Sequence, residues 1–208
     1  MNKRLVAGLG TLTALALTTT GLAPATAGGG VSHPKGEGWE HINVTDTLPA
    51  GYVCNVDITL KLKGHVRFTV NGKVPPKDWK GPKAGDLMLT ESPDATSVVT
   101  NTKNRKKVKV DMSGPLTTRV AKNDNDLNGK SVGGFLYFGR GVKGLIYAKG
   151  TQWFSVYNFR DPIKGETDIH RTRGTTVELC HALGAKAVEG KNPPPPQAQS
   201  GVANGLTH

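Results

Sequence analysis

The sequence predicts an all-β fold, either an antiparallel β-barrel or a closed β-sandwich of about nine strands. Three observations lead to this prediction. Apolar and polar residues alternate in short runs that recur about every 8 to 14 residues. Clusters of Gly, Pro and Asn separate these runs, and helix signals are nearly absent. We therefore expect a small antiparallel domain without helical layers.

The chain begins with the features of a secretory signal peptide, which we place at residues 1–27. Two basic residues precede an apolar run that ends near Leu17, and a small-residue cleavage site follows at residues 25–27. Residues 28–50 are mostly polar after three glycines and are predicted to form a flexible leader. We expect a secreted, extracellular protein, with no membrane-spanning segment in the mature chain.

The β domain is predicted to span residues 51–184. Its first strand alternates strictly over residues 56–63, and the next run repeats the pattern over residues 65–70. Gly64 stands at the joint between these two strands, and Asn71-Gly72 is a strong hairpin signal. The first two strands are therefore predicted to be adjacent and half-buried.

The remaining strands are predicted from the same alternation and from the turn residues between them. They are placed at residues 87–90, 96–101, 106–112, 116–122, 132–138, 144–149, 151–159 and 167–180. Residues 185–208 contain four consecutive prolines followed by small polar residues, and this composition predicts a disordered tail.

The chain has two cysteines, at the two ends of the predicted β domain. Cys54 opens the first predicted strand and Cys180 closes the last. An even pair in an exported chain predicts one disulfide, with two free thiols or a metal-binding pair as the alternatives. A bridge between the first and last strands favours strands that meet at their ends, as in a lipocalin-like meander barrel or a sandwich joined at its seam.

Short motifs surround the cysteines and the central hairpin. They are Pro-x-Gly-x-x-Cys, Thr-Asn, Ser-Gly-Pro and Cys-x-Ala-Leu, carried by Pro49, Gly51, Cys54, Thr100, Asn101, Ser113, Gly114, Pro115, Cys180, Ala182 and Leu183. On these motifs the chain resembles a group of small secreted β-proteins of actinomycetes in which one disulfide links the first and last strands. Residues 104–107 depart from the Gly-Lys turn that is usual in the group. The resemblance implies a secreted β domain and assigns no activity to it.

Signatures of catalysis are weak. The sequence has no nucleophile elbow around Ser155, no His-Glu-x-x-His and no phosphate-binding loop. Asp124 and Asp126 resemble half of a calcium loop, but the required Glu is missing. Glu166 and Asp168 would share a strand face, and two carboxylates there could serve glycoside hydrolysis only with the right separation and a cleft. We predict no catalytic residue, metal ligand or cofactor, and a secreted hydrolase is the least favoured alternative.

The formal net charge of +11 predicts attraction to anionic partners. The charge is densest at one predicted hairpin, and no aromatic residue is interleaved with it. Its cations are Lys103, Arg105, Lys106, Lys107 and Lys109. The hairpin is predicted to contact an anionic cell-wall polymer, with a solvated turn as the alternative.

The aromatic residues concentrate in the third quarter of the chain. Five of them are predicted to line a cavity for a small apolar ligand inside a barrel: Phe135, Tyr137, Tyr147, Trp153 and Tyr157. The alternative is ordinary core packing. The first functional hypothesis is therefore a non-enzymatic secreted binding protein, and the second is an envelope- or matrix-associated protein held by charge.

Overall fold

A computed structural model describes residues 36–76, 78–161 and 164–190 of the chain. Within these residues nine strands and one short helix form. The strands are β1 Trp39–Leu48, β2 Ile58–Val70, β3 Leu87–Ser92, β4 Thr96–Asn101, β5 Lys107–Asp111, β6 Gly114–Val120, β7 Leu127–Tyr137, β8 Ile146–Tyr157 and β9 Glu166–Glu178, and the helix is α1 Leu179–Ala182. The all-β prediction is confirmed, and the predicted signal peptide lies outside the described residues.

All nine strands belong to one antiparallel sheet in the order β5-β4-β2-β3-β6-β7-β8-β9, with β1 paired to β2 beside this path. The long strand β2 has β1 along one edge, while its other edge pairs first with β4 and then with β3. The chain is thus no simple meander, because the β4–β5 hairpin leaves the β3–β6 path and pairs with β2. The sheet is not closed by hydrogen bonds between its two ends.

The strand β1 occupies a region predicted to be a flexible leader. It pairs with β2 along its whole length, from Trp39 opposite Arg67 to Leu48 opposite Ile58. The sequence carries the reason, since Ile42, Val44 and Leu48 alternate with polar residues. Asp46 interrupts the apolar face of this run. The run therefore contains too few apolar residues for its alternation to predict a strand.

Two predicted breaks are absent from the sheet. Residues 56–63 and 65–70 were predicted as two strands joined at Gly64, and residues 144–149 and 151–159 as two strands separated at Gly150. The structure instead has continuous strands β2 and β8 through these glycines. Glycine in these strands marks a bend and a close approach of neighbouring backbones, which the sequence pattern does not distinguish from a turn.

Four glycines lie side by side on four consecutive strands, and we call them the glycine row: Gly114, Gly133, Gly150 and Gly174. Gly150 is opposite both Gly133 and Gly174, and all four have positive φ, between +113° and +139°. A Cβ atom at any of the four would overlap a backbone carbonyl oxygen of the next strand. The row therefore bends β6 to β9 together along one line, where no larger residue fits.

The core divides into separate clusters. One cluster surrounds the cysteines and joins β2, β4 and β5 to the ends of β7 and β8 through residues such as Ile58, Val110 and Leu136. A second cluster fills the space between β3, β6, β7 and β8, with Phe135 and Phe154 at its centre. Neighbouring residues of β7 thus enter different clusters, so both faces of the strand are buried at this end.

The predicted disulfide is confirmed between Cys54 and Cys180, whose Cα atoms are 5.6 Å apart and 126 positions apart in sequence. Its place differs from the prediction. Cys54 lies in the loop before β2, which is the second strand, and Cys180 lies in α1 after the last strand. Both residues are fully buried, so the bridge joins a loop to a helix inside the core.

Residues 185–190 are ordered, although they were assigned to a disordered tail. The Val188 amide donates to Val53, and the Asn55 amide donates to Lys186. On the other side, the Gly144 amide donates to Val188 and the Gly190 amide to Val142. This segment therefore runs between the cysteine loop and the β7–β8 connection and links them. The rest of the predicted tail, residues 191–208, lies outside the described residues.

Candidate functional site

The basic hairpin, residues 103–109, contains the β4–β5 turn, and all of its predicted contact residues are exposed. The turn carries Lys103, Arg105 and Lys106, and β5 carries Lys107 and Lys109. The side-chain amides of Asn101 and Asn104 both donate to the Leu183 carbonyl oxygen, over 3.0 and 2.9 Å. These bonds hold the turn against the residue that ends α1, so its cations project from a fixed position.

The strand register adds cations to this surface that sequence reasoning did not connect with it. Lys109 is opposite Val98, and Val98 is opposite Lys61 of β2. Opposite residues of an antiparallel ladder project from the same face, so Lys61 shares the solvent face with Lys109. Lys63 follows on the same face two positions later. The charge of the hairpin therefore extends across three strands.

The five aromatic residues predicted to line a cavity lie in separate places. Phe135 is buried in the cluster between β3 and β8, with the Tyr137 ring 6.0 Å from it between centroids. Tyr147 is buried in the cluster around the disulfide, and burial raises the pKa of its hydroxyl. Trp153 and Tyr157 project from the solvent face of β8. The structure does not bring these five side chains together.

Trp153 instead forms the centre of a cationic site on the outer face of β7, β8 and β9. The Cζ atoms of Arg171 and Arg173 lie 5.2 and 5.8 Å from the indole centroid, and Nζ of Lys130 lies 5.7 Å from it. Lys130, Trp153 and Arg171 are opposite one another on successive strands, so the register itself assembles the group. We call these four residues the tryptophan site.

Beside the tryptophan site, a chain of hydrogen bonds crosses the same three strands. Oγ of Ser155 lies 2.7 Å from Nε2 of His170, and Nδ1 of His170 lies 3.3 Å from Oδ2 of Asp168. On its other side Oγ of Ser155 donates to Oδ1 of Asn128 over 2.7 Å. The histidine and aspartate side chains are 45% and 55% exposed, whereas Ser155 is 4% exposed. A serine, a histidine and a carboxylate thus stand in line at the surface.

A β-bulge in β9 brings two neighbouring polar side chains to this face. The pairing of β8 with β9 shifts between Trp153, which is opposite Arg171, and Phe154, which is opposite Ile169. His170 is the extra residue, and a bulge of this kind turns two successive side chains toward one face. His170 and Arg171 therefore both reach the outer face, each beside a different residue of β8.

Sequence reasoning missed the serine–histidine–aspartate line. It compared Asp168 with Glu166 and judged Ser155 only by its lack of a nucleophile elbow. One signal was available, since Asp168 and His170 are two positions apart and share a strand face. Their alignment with Ser155 depends on the register between β8 and β9, which no local pattern reveals.

The two aspartates that resemble half of a calcium loop form an ion pair and hydrogen bonds at the β6–β7 turn. Asp124 pairs with Arg160 at 2.6 Å, and Asp126 accepts hydrogen bonds from the Asn123 amide and the Asn158 backbone. Within the described residues, no group of three or more His, Cys, Asp or Glu side chains is placed to hold a metal ion.

A second histidine–carboxylate pair fixes the corner between β3 and β4. Nδ1 of His65 lies 2.7 Å from Asp94, and the His65 backbone amide donates to the other carboxylate oxygen over 2.7 Å. Partial burial alone would raise the pKa of Asp94, but these hydrogen bonds outweigh it and hold the pKa below its usual range. The pair joins β2 to the corner, which is a structural role.

Comparison of the chain with protein-family models, with curated proteins and with solved structures found no match. In the part of the chain that the structure describes, no helix is long and apolar enough to cross a membrane. The functional assignment therefore rests on the geometry of the two basic surfaces and of the hydrogen-bonded line beside Trp153.

Proposed function

We propose that this protein is secreted and binds an anionic polymer, of the kind found in cell walls, through the tryptophan site. The observation that carries the proposal is the position of three cations around one indole ring, all within 5.8 Å of its centroid. The disulfide suits an oxidising compartment. The full chain has a formal net charge of +11, and loss of the predicted signal peptide with Lys3 and Arg4 leaves +9, which supplies long-range attraction to such a polymer.

The physical reason is electrostatic. Three positive charges held near one ring repel one another, and an anionic group placed between them relieves that repulsion. Contact with the ring stabilises each cation by about 0.5–1 kcal/mol and restricts the conformations of its side chain. Less side-chain conformational entropy is then lost when an anion binds. The guanidinium edges of Arg171 and Arg173 match the oxygen pairs of phosphate, sulfate or carboxylate groups.

The basic hairpin is a second contact for the same polymer, with Lys61 and Lys63 beside it. Its lysines are exposed, and among the described residues no aromatic ring lies against them. We rank it below the tryptophan site for this reason. The apolar-ligand hypothesis receives less support, because its five proposed lining residues are dispersed between two core clusters and the solvent face.

The test compares two variants that remove the same charge from different places. One carries Lys130→Gln, Arg171→Gln and Arg173→Gln, and the other carries Lys103→Gln, Lys107→Gln and Lys109→Gln. Binding to immobilised heparin and to soluble long-chain polyphosphate is measured over a range of salt concentrations. The plot of log affinity against log salt should lose about 2 to 3 units of slope in the first variant, because each lost phosphate contact removes about 0.7 to 0.9.

The second variant should lose less slope than the first. Equal losses would show that only net charge matters, and a loss confined to the second variant would place the contact at the hairpin. Either result rejects the tryptophan site as the main contact. Circular dichroism and thermal unfolding of both variants check that the sheet is retained.

A further inference from the structure

We infer that Ser155, His170 and Asp168 form a nucleophilic site that hydrolyses carboxylic esters. The inference goes beyond polymer binding, and only the preference for acidic esters rests on the proposed function. Its basis is the spacing of the three side chains, 2.7 Å from Oγ to Nε2 and 3.3 Å from Nδ1 to the carboxylate. The same order of groups, with the same nitrogen facing each neighbour, activates serine nucleophiles on unrelated folds.

Only a few arrangements of the protons on Ser155, His170 and Asp168 satisfy these hydrogen bonds. A carboxylate accepts hydrogen bonds and cannot donate, so Asp168 favours a proton on Nδ1 of His170. In the neutral ring Nε2 then has a free lone pair and accepts the Ser155 hydroxyl proton. In the structure the amide oxygen of Asn128 faces Oγ and accepts from it. For the hydroxyl to donate to His170 instead, the Asn128 amide makes a half-turn that exchanges its oxygen and nitrogen and presents its nitrogen to Oγ. This is the state in which a serine is ready to attack.

Each group has a defined role in the reaction. Oγ of Ser155 attacks the ester carbonyl carbon while His170 takes the hydroxyl proton on Nε2, and the carbonyl electrons move to its oxygen. The tetrahedral intermediate collapses, the bond to the alcohol breaks, and His170 returns the proton to the leaving oxygen. Water then attacks the acyl-serine by the same route, so that ester and water give acid and alcohol with no other reactant. Asp168 positions the ring and stabilises its charged form.

The negative charge of the intermediate has donors on the same face. The backbone amide of Ser155 lies within a central strand, so the donors must be side chains. Oδ1 of Asn128 accepts from Oγ over 2.7 Å, so the amide can donate to an oxyanion at that place only after the half-turn that brings its nitrogen there. Trp153 is two residues from Ser155 on the same strand face, roughly 7 Å away. The side chains of Lys130 and Arg171 contact its ring. An ester next to an acidic group on a polymer therefore fits both sites at once.

The site is open on one side. His170 and Asp168 are about half exposed, and Ser155 lies between the side chains of His170 and Asn128. Ser155 itself is 4% exposed, so an ester can approach Oγ only from the side of the exposed His170 and Asp168.

The experiment uses a neutral fluorophosphonate probe on the purified protein. Attack by Ser155 forms an Oγ–P bond and expels fluoride, while the hydroxyl proton passes to His170. Peptide mapping by mass spectrometry should place the adduct on Ser155. Ser155→Ala should abolish the labelling, and Ser131→Ala, which removes a buried serine from the other face of β7, should leave it unchanged.

Turnover of a neutral p-nitrophenyl ester supplies the second readout. His170→Gln keeps a polar side chain but removes the base, and it should lower kcat at least about 100-fold. Asp168→Asn should lower kcat about 10-fold or more with KM unchanged, because it acts only through His170. Thermal unfolding of His170→Gln, an exposed position, separates loss of chemistry from loss of fold if Ser155→Ala does not fold.

Three results would overturn the inference: absence of an adduct in the wild-type protein, an adduct on another residue, and undiminished labelling of His170→Gln. The link to polymer binding is tested separately. The triple tryptophan-site variant should lose a larger fraction of its turnover of an acidic ester than of its turnover of the neutral ester. Labelling of Ser155 without polymer binding would reject the proposed function alone, and polymer binding without labelling would reject the serine site alone.

Discussion

At the scale of single residues, two buried amides show opposite situations. Asn101 is 1% exposed and fully used, since its nitrogen donates to Leu183 and its oxygen accepts from the Lys103 and Asn104 backbones. Gln152 is 0% exposed, and neither its nitrogen nor its oxygen has a hydrogen-bond partner in the described part of the chain. Burying a polar group without a partner costs about 1–3 kcal/mol.

Replacement of Gln152 by Met should therefore raise the free energy of unfolding by about 1–3 kcal/mol, because Met fills a similar volume without a polar group to desolvate. Asn101→Leu is the matched control and should lower it by about 2–3 kcal/mol, since it leaves the Lys103 and Asn104 backbone amides without their acceptor and removes one of the two donors to the Leu183 carbonyl. Urea unfolding followed by tryptophan fluorescence measures both. A clear loss of stability in the Gln152 variant would show that its amide is bonded inside the core.

At the scale of elements, the long strands depend on the glycine row. Positive φ alone would favour glycine at these positions, but the carbonyl oxygen of the next strand excludes even a methyl group there. Gly139, in the loop after β7, is a contrasting case. Its φ is +125°, close to the +128° of Gly150, and a Cβ atom there would have no atom within 4 Å.

The two glycines separate backbone strain from overlap. Gly139→Ala should cost about 1–3 kcal/mol of unfolding free energy through strain alone. Gly150→Ala should cost at least about 2 kcal/mol more, because its Cβ would also displace the Arg173 carbonyl from the β8–β9 ladder. Chemical denaturation of both variants measures the difference. Equal losses would show that the strands move apart at the glycine row without a further loss of unfolding free energy.

At the scale of the whole molecule, the disulfide and the segment 185–190 hold the two ends of an open sheet together. The sheet order leaves β5 and β9 unpaired with each other, and the core around Cys54 and Cys180 connects the strands near both ends. Side-chain packing and one covalent bond thus replace the hydrogen-bond closure of a barrel.

Removal of the bridge should destabilise the protein strongly. A cross-link over 126 positions restricts the unfolded chain, and the chain-entropy model gives about 4.7 kcal/mol for a loop near 100 residues. The double variant Cys54→Ala, Cys180→Ala should lose about 3–5 kcal/mol, as measured by urea unfolding against the oxidised wild type. Because both cysteines are fully buried, dithiothreitol should reduce the native protein slowly, at a rate that rises with added urea. Rapid reduction without urea would contradict this placement.

Much of the fold was predictable from local pattern, and little of the site was. The hairpin of β4 and β5 was predicted within a residue or two, because alternation and turn residues are both local signals. The strand β1 was missed because its apolar face is thin. The tryptophan site and the line from Ser155 to Asp168 were missed because they join residues of three strands, whose relative position follows from register and from one bulge.

The sequence by itself determined the all-β class and indicated the disulfide, because period-two alternation, turn residues and an even pair of cysteines are properties of the chain alone. Only the tertiary structure decided that the sheet stays open, that four glycines bend it along one line, and that cations and a serine–histidine–aspartate line share its outer face. The physical reason is that pairing depends on the best packing of all strands at once. A shift of one residue would turn each of these side chains to the opposite face.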